Sequence, residues 1–344
     1  MKKFLVAAAL MVCATGASAS NFRGADQVYI PIAGHASGAS GTFISDVYVA
    51  NLTPDNVQVS VIYQPLNTPT NPASPVTIGT EFKNVIALRP FERKEYKDFF
   101  PTVLGVPSGF GQIILNGCLS GANCGATGQN QGGDSSNYRA ISAESRIYSI
   151  PNVGGAAAGT TGQLFSGIPW YNFVSMVNNE QSLDKVFITG FTHTGTSGAG
   201  TFRSNIGLAN ASQYSTTTLA VSLYKGTYNP AIPATDRLAE VLVTLTPLEN
   251  IQRNFPTFFP NAPLGGDYFV VVEQRSSTPT PDSPLDCEQG CASFLAYGSV
   301  LDNVTGDATT LESQYIVPLS DGALDVIYPP SAGKTVGIRR AVRH

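Results

Sequence analysis

The feature that most constrains this chain is that it repeats itself. Gly41-Thr42-Phe43-Ile44-Ser45-Asp46-Val47-Tyr48-Val49-Ala50-Asn51 returns as Gly200-Thr201-Phe202-Arg203-Ser204-Asn205-Ile206-Gly207-Leu208-Ala209-Asn210, with six of eleven positions identical. A second block, Val85 to Glu92, corresponds to Leu242 to Glu249 around a shared proline (Pro90, Pro247), and Phe100-Pro101-Thr102 corresponds to Phe255-Pro256-Thr257. Three blocks in the same order at nearly constant spacing indicate an internal duplication. Each copy must therefore bury a core of its own.

Alternation of apolar and polar residues decides what each copy is built from. In the first copy the segments 28–32, 44–51, 57–63, 82–88, 111–115 and 140–148 read as strands. The second copy places strands at 185–191, 203–210, 219–225, 238–245, 268–274 and 294–301, and a seventh element follows each copy at 163–165 and 314–316. Val57, Val59 and Val61 share one face, as do Leu219, Val221 and Leu223, because side chains alternate along a strand. Six or seven strands per copy, with no helical period between them, predict an all-β chain of two tandem Ig-like, Greek-key β-sandwich domains.

Charged residues are only 13%, while 34 Gly and 23 Pro supply turns, which suits short strands and long loops. A net charge of −4 offers no basic field for a phosphate backbone, so nucleic acid is not an expected partner. Lys2 and Lys3, an apolar run from Phe4 to Val12 and the small residues Ala17-Ser18-Ala19 read as a signal peptide cleaved after Ala19. That run falls short of the roughly 20 apolar residues of a membrane span, and nothing downstream reaches that length. The expected location is secreted, extracellular or periplasmic, with no membrane span in the mature chain. The organisation expected is signal peptide 1–19, first sandwich 20–165, linker 166–182, second sandwich 183–320 and a C-terminal tail 321–344.

Cys118 and Cys124 lie in the loop after the fifth strand of the first copy, Cys287 and Cys291 in the matching loop of the second. In an oxidising compartment they read as local disulfides, Cys118 with Cys124 and Cys287 with Cys291, with crossed pairing the other arrangement. A four-cysteine zinc site would need two loops of different domains to converge. Asp302 and Asp307, in Asp302-Asn303-Val304-Thr305-Gly306-Asp307, form a weak calcium candidate without EF-hand spacing; the same residues make ordinary β-turns. No cofactor and no other metal site is expected.

Catalytic groups are sparse. His35 and His193 occupy equivalent places before a Gly/Ser-rich turn, which fits a copied turn residue better than a ligand pair. Ser40 and Ser197 lie nearby without the G-x-S-x-G elbow of a serine hydrolase. Glu92 and Glu249 align after the shared prolines and read as turn caps. Asn51, Asn210 and Asn303 open N-x-[ST] triplets, which matter only if the host glycosylates.

The Gly-rich turn, the G-T-F-x-S-[D/N] entry and the A-N strand end resemble modules of uncharacterised exported bacterial proteins with tandem Ig-like sandwiches. The resemblance implies export and fold, and carries over no catalytic residue. The function expected is that of an exported, non-enzymatic structural, adhesion or surface-interaction protein. The alternative is an extracellular carbohydrate-binding or carbohydrate-processing protein. Candidate partners are a cell surface, a glycan or another copy of the chain, reached through loops or edge strands.

Overall fold

A computed structural model of the chain describes residues 24–38, 41–67, 82–122, 135–151, 161–170, 185–212, 215–226, 236–279 and 293–314. The signal peptide, Ser40, Cys124, Cys287, Cys291, most of the expected linker and the C-terminal tail lie outside the described residues. The chain divides into two compact units, the first drawn from the described residues 24–66 and 82–170 and the second from Asn67 and those between 185 and 314.

Unit 1 contains β1 (Gln27–Gly38), β2 (Gly41–Asn51), β3 (Val57–Pro65), β4 (Phe82–Leu88), β5 (Arg93–Tyr96), β6 (Gly109–Leu119), β7 (Ile141–Pro151), β8 (Thr161–Ser166) and the two-residue β9 (Ile168–Pro169). Its strands run in the order β4-β3-β6-β1-β2-β7-β8, with β5 against β2 and β9 against β1. β1 pairs with β6 from Gln27 to His35, across a register shift between Ile30 and Ala33, and its last residues, Ala36 to Gly38, pair with β2. The change of partner after His35 lets one strand serve both layers.

Unit 2 contains β10 (Lys185–His193), β11 (Phe202–Asn210), β12 (Ser215–Lys225), β13 (Arg237–Leu245), β14 (Asn250–Asn254), β15 (Gly265–Pro279), β16 (Phe294–Asp302) and β17 (Ala308–Glu312). They form two antiparallel sheets, β10-β15-β12-β13 and β14-β11-β16-β17. Read in chain order, this is the pairing scheme of β1 to β8: first with sixth, sixth with third, third with fourth, and fifth, second, seventh and eighth in a second row. Second with fifth and third with sixth are also neighbours in an immunoglobulin sandwich. The seventh strand departs from that scheme, lying beside the second instead of the sixth.

One apolar cluster fills each unit. In unit 2 it joins Leu219, Val221, Leu223, Val270 and Val272 from one sheet to Ile206, Leu208, Phe294 and Ala296 from the other. In unit 1, Val57, Val59, Val61, Ile113 and Leu115 meet Val47, Val49 and Ile141. Two sheets sharing one core are consistent with a β-sandwich. The Phe-Pro-Thr element plugs each core as a short helical turn, Phe100–Leu104 in unit 1 and Phe255–Phe258 in unit 2, with Phe100 and Phe255 fully buried.

Strands expected from alternation occur in place, and four short ones, β5, β9, β14 and β17, were not expected. β5 and β14 follow the proline turns, where four or five residues offer no apolar period to read. β17 spans Ala308–Glu312, ahead of the expected seventh element at 314–316, of which Gln314 bridges Phe187 and residues 315 and 316 lie outside the described residues. Ile168 and Pro169, assigned to the linker, pair with Tyr29 and Val28. No helix among the described residues is long and apolar enough to cross a membrane.

A corner built on asparagine recurs in both units. Asn51 Oδ1 accepts the Thr53 amide, and Nδ2 donates to the carbonyls of Asp55 and Arg89 at 2.7 and 2.9 Å. Asn210 Oδ1 accepts the Ser212 amide, and Nδ2 donates to the carbonyls of Ser215 and Thr246 at 2.7 and 3.0 Å. The residues after the prolines, Phe91 and Leu248, take left-handed φ of 54° and 58° and send their amides to Thr53 and Ser212. Glu92 and Glu249 then accept the amides of Arg89 and Thr246, so both act as turn caps. The Arg89 amide holds the Glu92 carboxyl below the usual carboxylate range. Buried and committed to backbone carbonyls, Asn51 and Asn210 are not accessible as glycan acceptors in the folded chain.

Candidate functional site

Apart from the β1–β2 pairing, which has no β10–β11 equivalent, the strands of the two units pair alike, so their equivalent outward rows can be compared side chain by side chain. In unit 1 one row across the second sheet reads Glu95, Tyr48, Glu144. Its equivalent in unit 2 reads Gln252, Gly207, Tyr297. Tyr297 lies across Gly207, where an added Cβ would come within 2.0 Å of the phenol ring, and its hydroxyl meets Gln252 Oε1 at 3.0 Å. Burial pushes the Tyr297 phenol strongly up, so this row is closed and neutral.

The unit 1 row is open and charged. Tyr48 donates to Glu95 Oε1 at 3.2 Å, and the Arg93 guanidinium sits 4.4 Å from the centre of its ring while reaching Glu144 at 3.3 Å. Burial and the neighbouring Glu95 charge both raise the Tyr48 phenol. One row along, Arg146 lies 4.9 Å from the centre of the Tyr148 ring. Cation–π contacts of this kind hold aromatic rings in fixed orientations on a solvated face.

The row continues into a hydrogen-bonded cluster at the end of the sheet. His35 Nδ1 and Asp98 Oδ1 share a hydrogen bond of 2.6 Å. Asp98 takes a left-handed φ of 47° and is pinned there from two sides: its amide donates to Asp46 Oδ1 at 3.0 Å, and Thr102 Oγ1 donates to its carbonyl at 2.7 Å. Non-glycine residues in that region are strained and are held there by their surroundings. Asp46, only 4% exposed, also accepts the Tyr148 hydroxyl at 3.3 Å. Burial, followed by the charge of Asp46, pushes the Tyr148 phenol up to about 12.

Unit 2 lacks this cluster at each equivalent position. His193 is buried against Phe255 with ring centres 5.7 Å apart, and its Nδ1 has no partner among the described residues. Desolvation lowers its basicity. Alignment of the Phe-Pro-Thr elements puts Arg253 where unit 1 has Asp98. Asn205 replaces Asp46 and donates to Ser299, and Leu301 stands in register where unit 1 has Tyr148. The two histidines thus share a position and not an environment.

The other residues singled out in the sequence have structural partners. Asp302 Oδ1 accepts the amides of Val304 and Thr305 at 2.7 and 2.9 Å in the β16–β17 hairpin, and those amides hold its carboxyl below the usual range. Asp307 Oδ1 accepts the Ala308 amide. Asn303 is tied to Arg203, Gly195 and Thr201. No group of three or more metal-ligating side chains occurs among the described residues. Cys118, expected in the loop, lies within β6 one residue before its end, with Sγ 3.6 Å from the carbonyl of Ala122, because the strand runs further along β3 than its apolar pattern does.

Sequence reading missed Asp98, Asp46, Tyr148 and Arg93 as a group. The available signal was the difference between copies: Asp46 against Asn205 inside the best-matched block, and Asp98 against Arg253 beside the Phe-Pro-Thr element. The face presents cations, carboxylates, phenols and an imidazole with donors and acceptors interleaved, and no activated nucleophile is seen among them. Such a surface is suited to holding a polar partner. No family model and no curated protein matches the chain, so its function has to be argued from these residues themselves.

Proposed function

We propose that this is an exported, non-enzymatic surface-interaction protein made of two duplicated Greek-key, Ig-like sandwiches, in which unit 1 presents the Tyr48–Tyr148 sheet face to a partner. The observation that carries this reading is the contrast between copies: core, pairing and corners are kept, while one exposed face is charged and open in unit 1 and closed in unit 2. Constraints of folding act on both copies alike, so they give no reason for that difference. Export is supported by the signal-like residues 1–19.

Local disulfides belong to the same proposal. Ala122 folds back to Cys118, and Cys124 is two residues further, within about 7 Å of extended chain. A carbohydrate partner is the second reading, since phenols, arginines and carboxylates on one face are typical sugar contacts. The guanidinium groups over Tyr48 and Tyr148 favour hydrogen bonding over ring stacking.

The test is binding of the mature chain to whole cells and to a glycan array, with Arg93→Ala/Arg146→Ala alongside. Loss of two cation contacts on this solvated face should weaken retention about tenfold. Retention equal to that of the parent would remove unit 1's face from the function. Array hits abolished by the double variant would establish the sugar reading.

A further inference from the structure

We propose that two copies of the chain associate edge to edge through β13, antiparallel, with Leu238 of one copy facing Leu242 of the other. The pairing names one partner for the surface-interaction reading above and rests on it for compartment alone. β13 is the last strand of its sheet, paired on one side with β12 from Leu245 opposite Thr217 to Arg237 opposite Tyr224. Its other side carries no strand among the described residues. Every second residue of such an edge leaves its amide and carbonyl unpaired, a template for another chain.

Edges are ordinarily blunted by lysine, proline or a bulge. The sequence from Arg237 to Leu245 contains neither lysine nor proline, and the one register shift against β12 lies at the start of the strand, where Leu238 is passed over between the pairs Arg237–Tyr224 and Ala239–Leu223. The inward residues Val243 and Leu245 pack in the core, which turns Leu238, Glu240, Leu242 and Thr244 outward. Leu238 is 53% and Leu242 62% exposed, two large aliphatic side chains four residues apart on one face of an unpaired edge.

That spacing selects a register. A two-fold axis at Glu240 places Leu238 opposite Leu242 twice, once on each side of the axis, so both leucines of both copies gain an apolar neighbour. An axis at Val241 would set Leu242 opposite Glu240 and Leu238 opposite Thr244, which pairs no apolar residues. The preferred register brings the two Glu240 side chains together. Each is already bonded to Arg237, to Arg275 at 3.3 Å and to Ser222 at 3.1 Å, so cations lie around both carboxylates.

Unit 1 shows the contrast. Its equivalent edge strand, β4, is capped by Lys94, whose Nζ donates to the carbonyl of Ala87 at 2.6 Å. The register of β5 and β14 places Ile251 where unit 1 has Lys94, and Ile251 is buried in the core of unit 2. The capping lysine is absent from the edge that also carries the exposed leucines.

Sedimentation velocity of the mature chain over about a hundredfold range of concentration should show monomer passing to dimer. Leu242→Lys, at a site exposed enough to leave folding intact, should weaken association at least about tenfold. Under oxidised glutathione, Leu238→Cys/Leu242→Cys should form covalent dimers and Leu242→Cys alone should not, because position 242 faces 238 and disulfides need close Cβ atoms. A monomer throughout, a Leu242→Lys variant that dimerises like the parent, or efficient cross-linking by Leu242→Cys alone would each overturn the proposal. Cell retention by a strictly monomeric chain would overturn this pairing and leave the function of unit 1's face standing.

Discussion

Tyr48 and Gly207 occupy the same place in the two units, between strands of the same order and opposite residues of the same register. In unit 1 a tyrosine rises from that place with arginine over it and carboxylates on either side; in unit 2 the ring of Tyr297 fills the space that a missing side chain leaves. Around this difference the Asn51 and Asn210 corners keep their hydrogen bonds almost atom for atom. Backbone satisfaction is what the fold cannot give up, since an unpaired buried carbonyl costs on the order of 1–3 kcal/mol. Outward rows are under no such demand and can diverge toward a task.

The sharpest way to break the claim that the cores are equivalent is to remove their plugs. Phe255 touches Phe191, His193, Phe259 and Tyr268, whereas Phe100 packs edge-on against Tyr63. Phe255→Ala should lower unit 2's unfolding free energy by about 4 kcal/mol, and Phe100→Ala should cost unit 1 less, as read from the two transitions of a urea melt. Next come the corners. Asn210→Ala orphans carbonyls in a fully buried site and should cost about 3 kcal/mol, and Asn51→Ala about 2 kcal/mol. Equal losses in both pairs would make the two units energetically as well as topologically alike.

The histidines separate the units by pH. His193 is less basic when folded than when unfolded, because burial disfavours its charged form. Stability from this source is complete above the unfolded value near 6.5 and is lost as pH falls below it, because the unfolded chain then binds the extra proton. The melting temperature of unit 2 should therefore decline between about pH 7 and 5, and His193→Phe, which keeps a ring against Phe255, should flatten the decline. A decline of unchanged slope in that variant would assign the effect to carboxylates instead.

Much of the fold was legible because alternation and repetition report the same thing twice. Val57, Val59 and Val61 mark a strand whatever lies opposite, and their counterparts in the second copy mark it again. β5 and β14 were not legible: Arg93-Lys94-Glu95-Tyr96 has no apolar side, and the strand exists because the Asn corner delivers the chain alongside β2. The site was legible only as a contradiction. His35 and His193 look equivalent in sequence, and what distinguishes them is Asp98, more than sixty positions away in the chain and brought to His35 by the left-handed turn before Phe99. No local pattern encodes a pair so far separated.

The smallest effect belongs to Lys94, and it bears on the comparison of edges. The Lys94 ammonium caps Ala87 and lies 3.7 Å from Glu92, both at a solvated surface, so Lys94→Ile should change unit 1's stability by no more than about 0.5 kcal/mol. Its consequence should appear in association. In a Leu242→Lys background, where the β13 edge is silenced, Lys94→Ile frees a backbone carbonyl on β4 and removes a charge that a neighbouring chain would have to desolvate. Weak dimerisation should then reappear, measurable by sedimentation at the highest concentrations and disrupted by a proline at Ala87, which is exposed on β4. If the double variant stays monomeric, the difference between the edges lies in Leu238 and Leu242 alone, and the lysine of unit 1 caps a strand that had no tendency to pair.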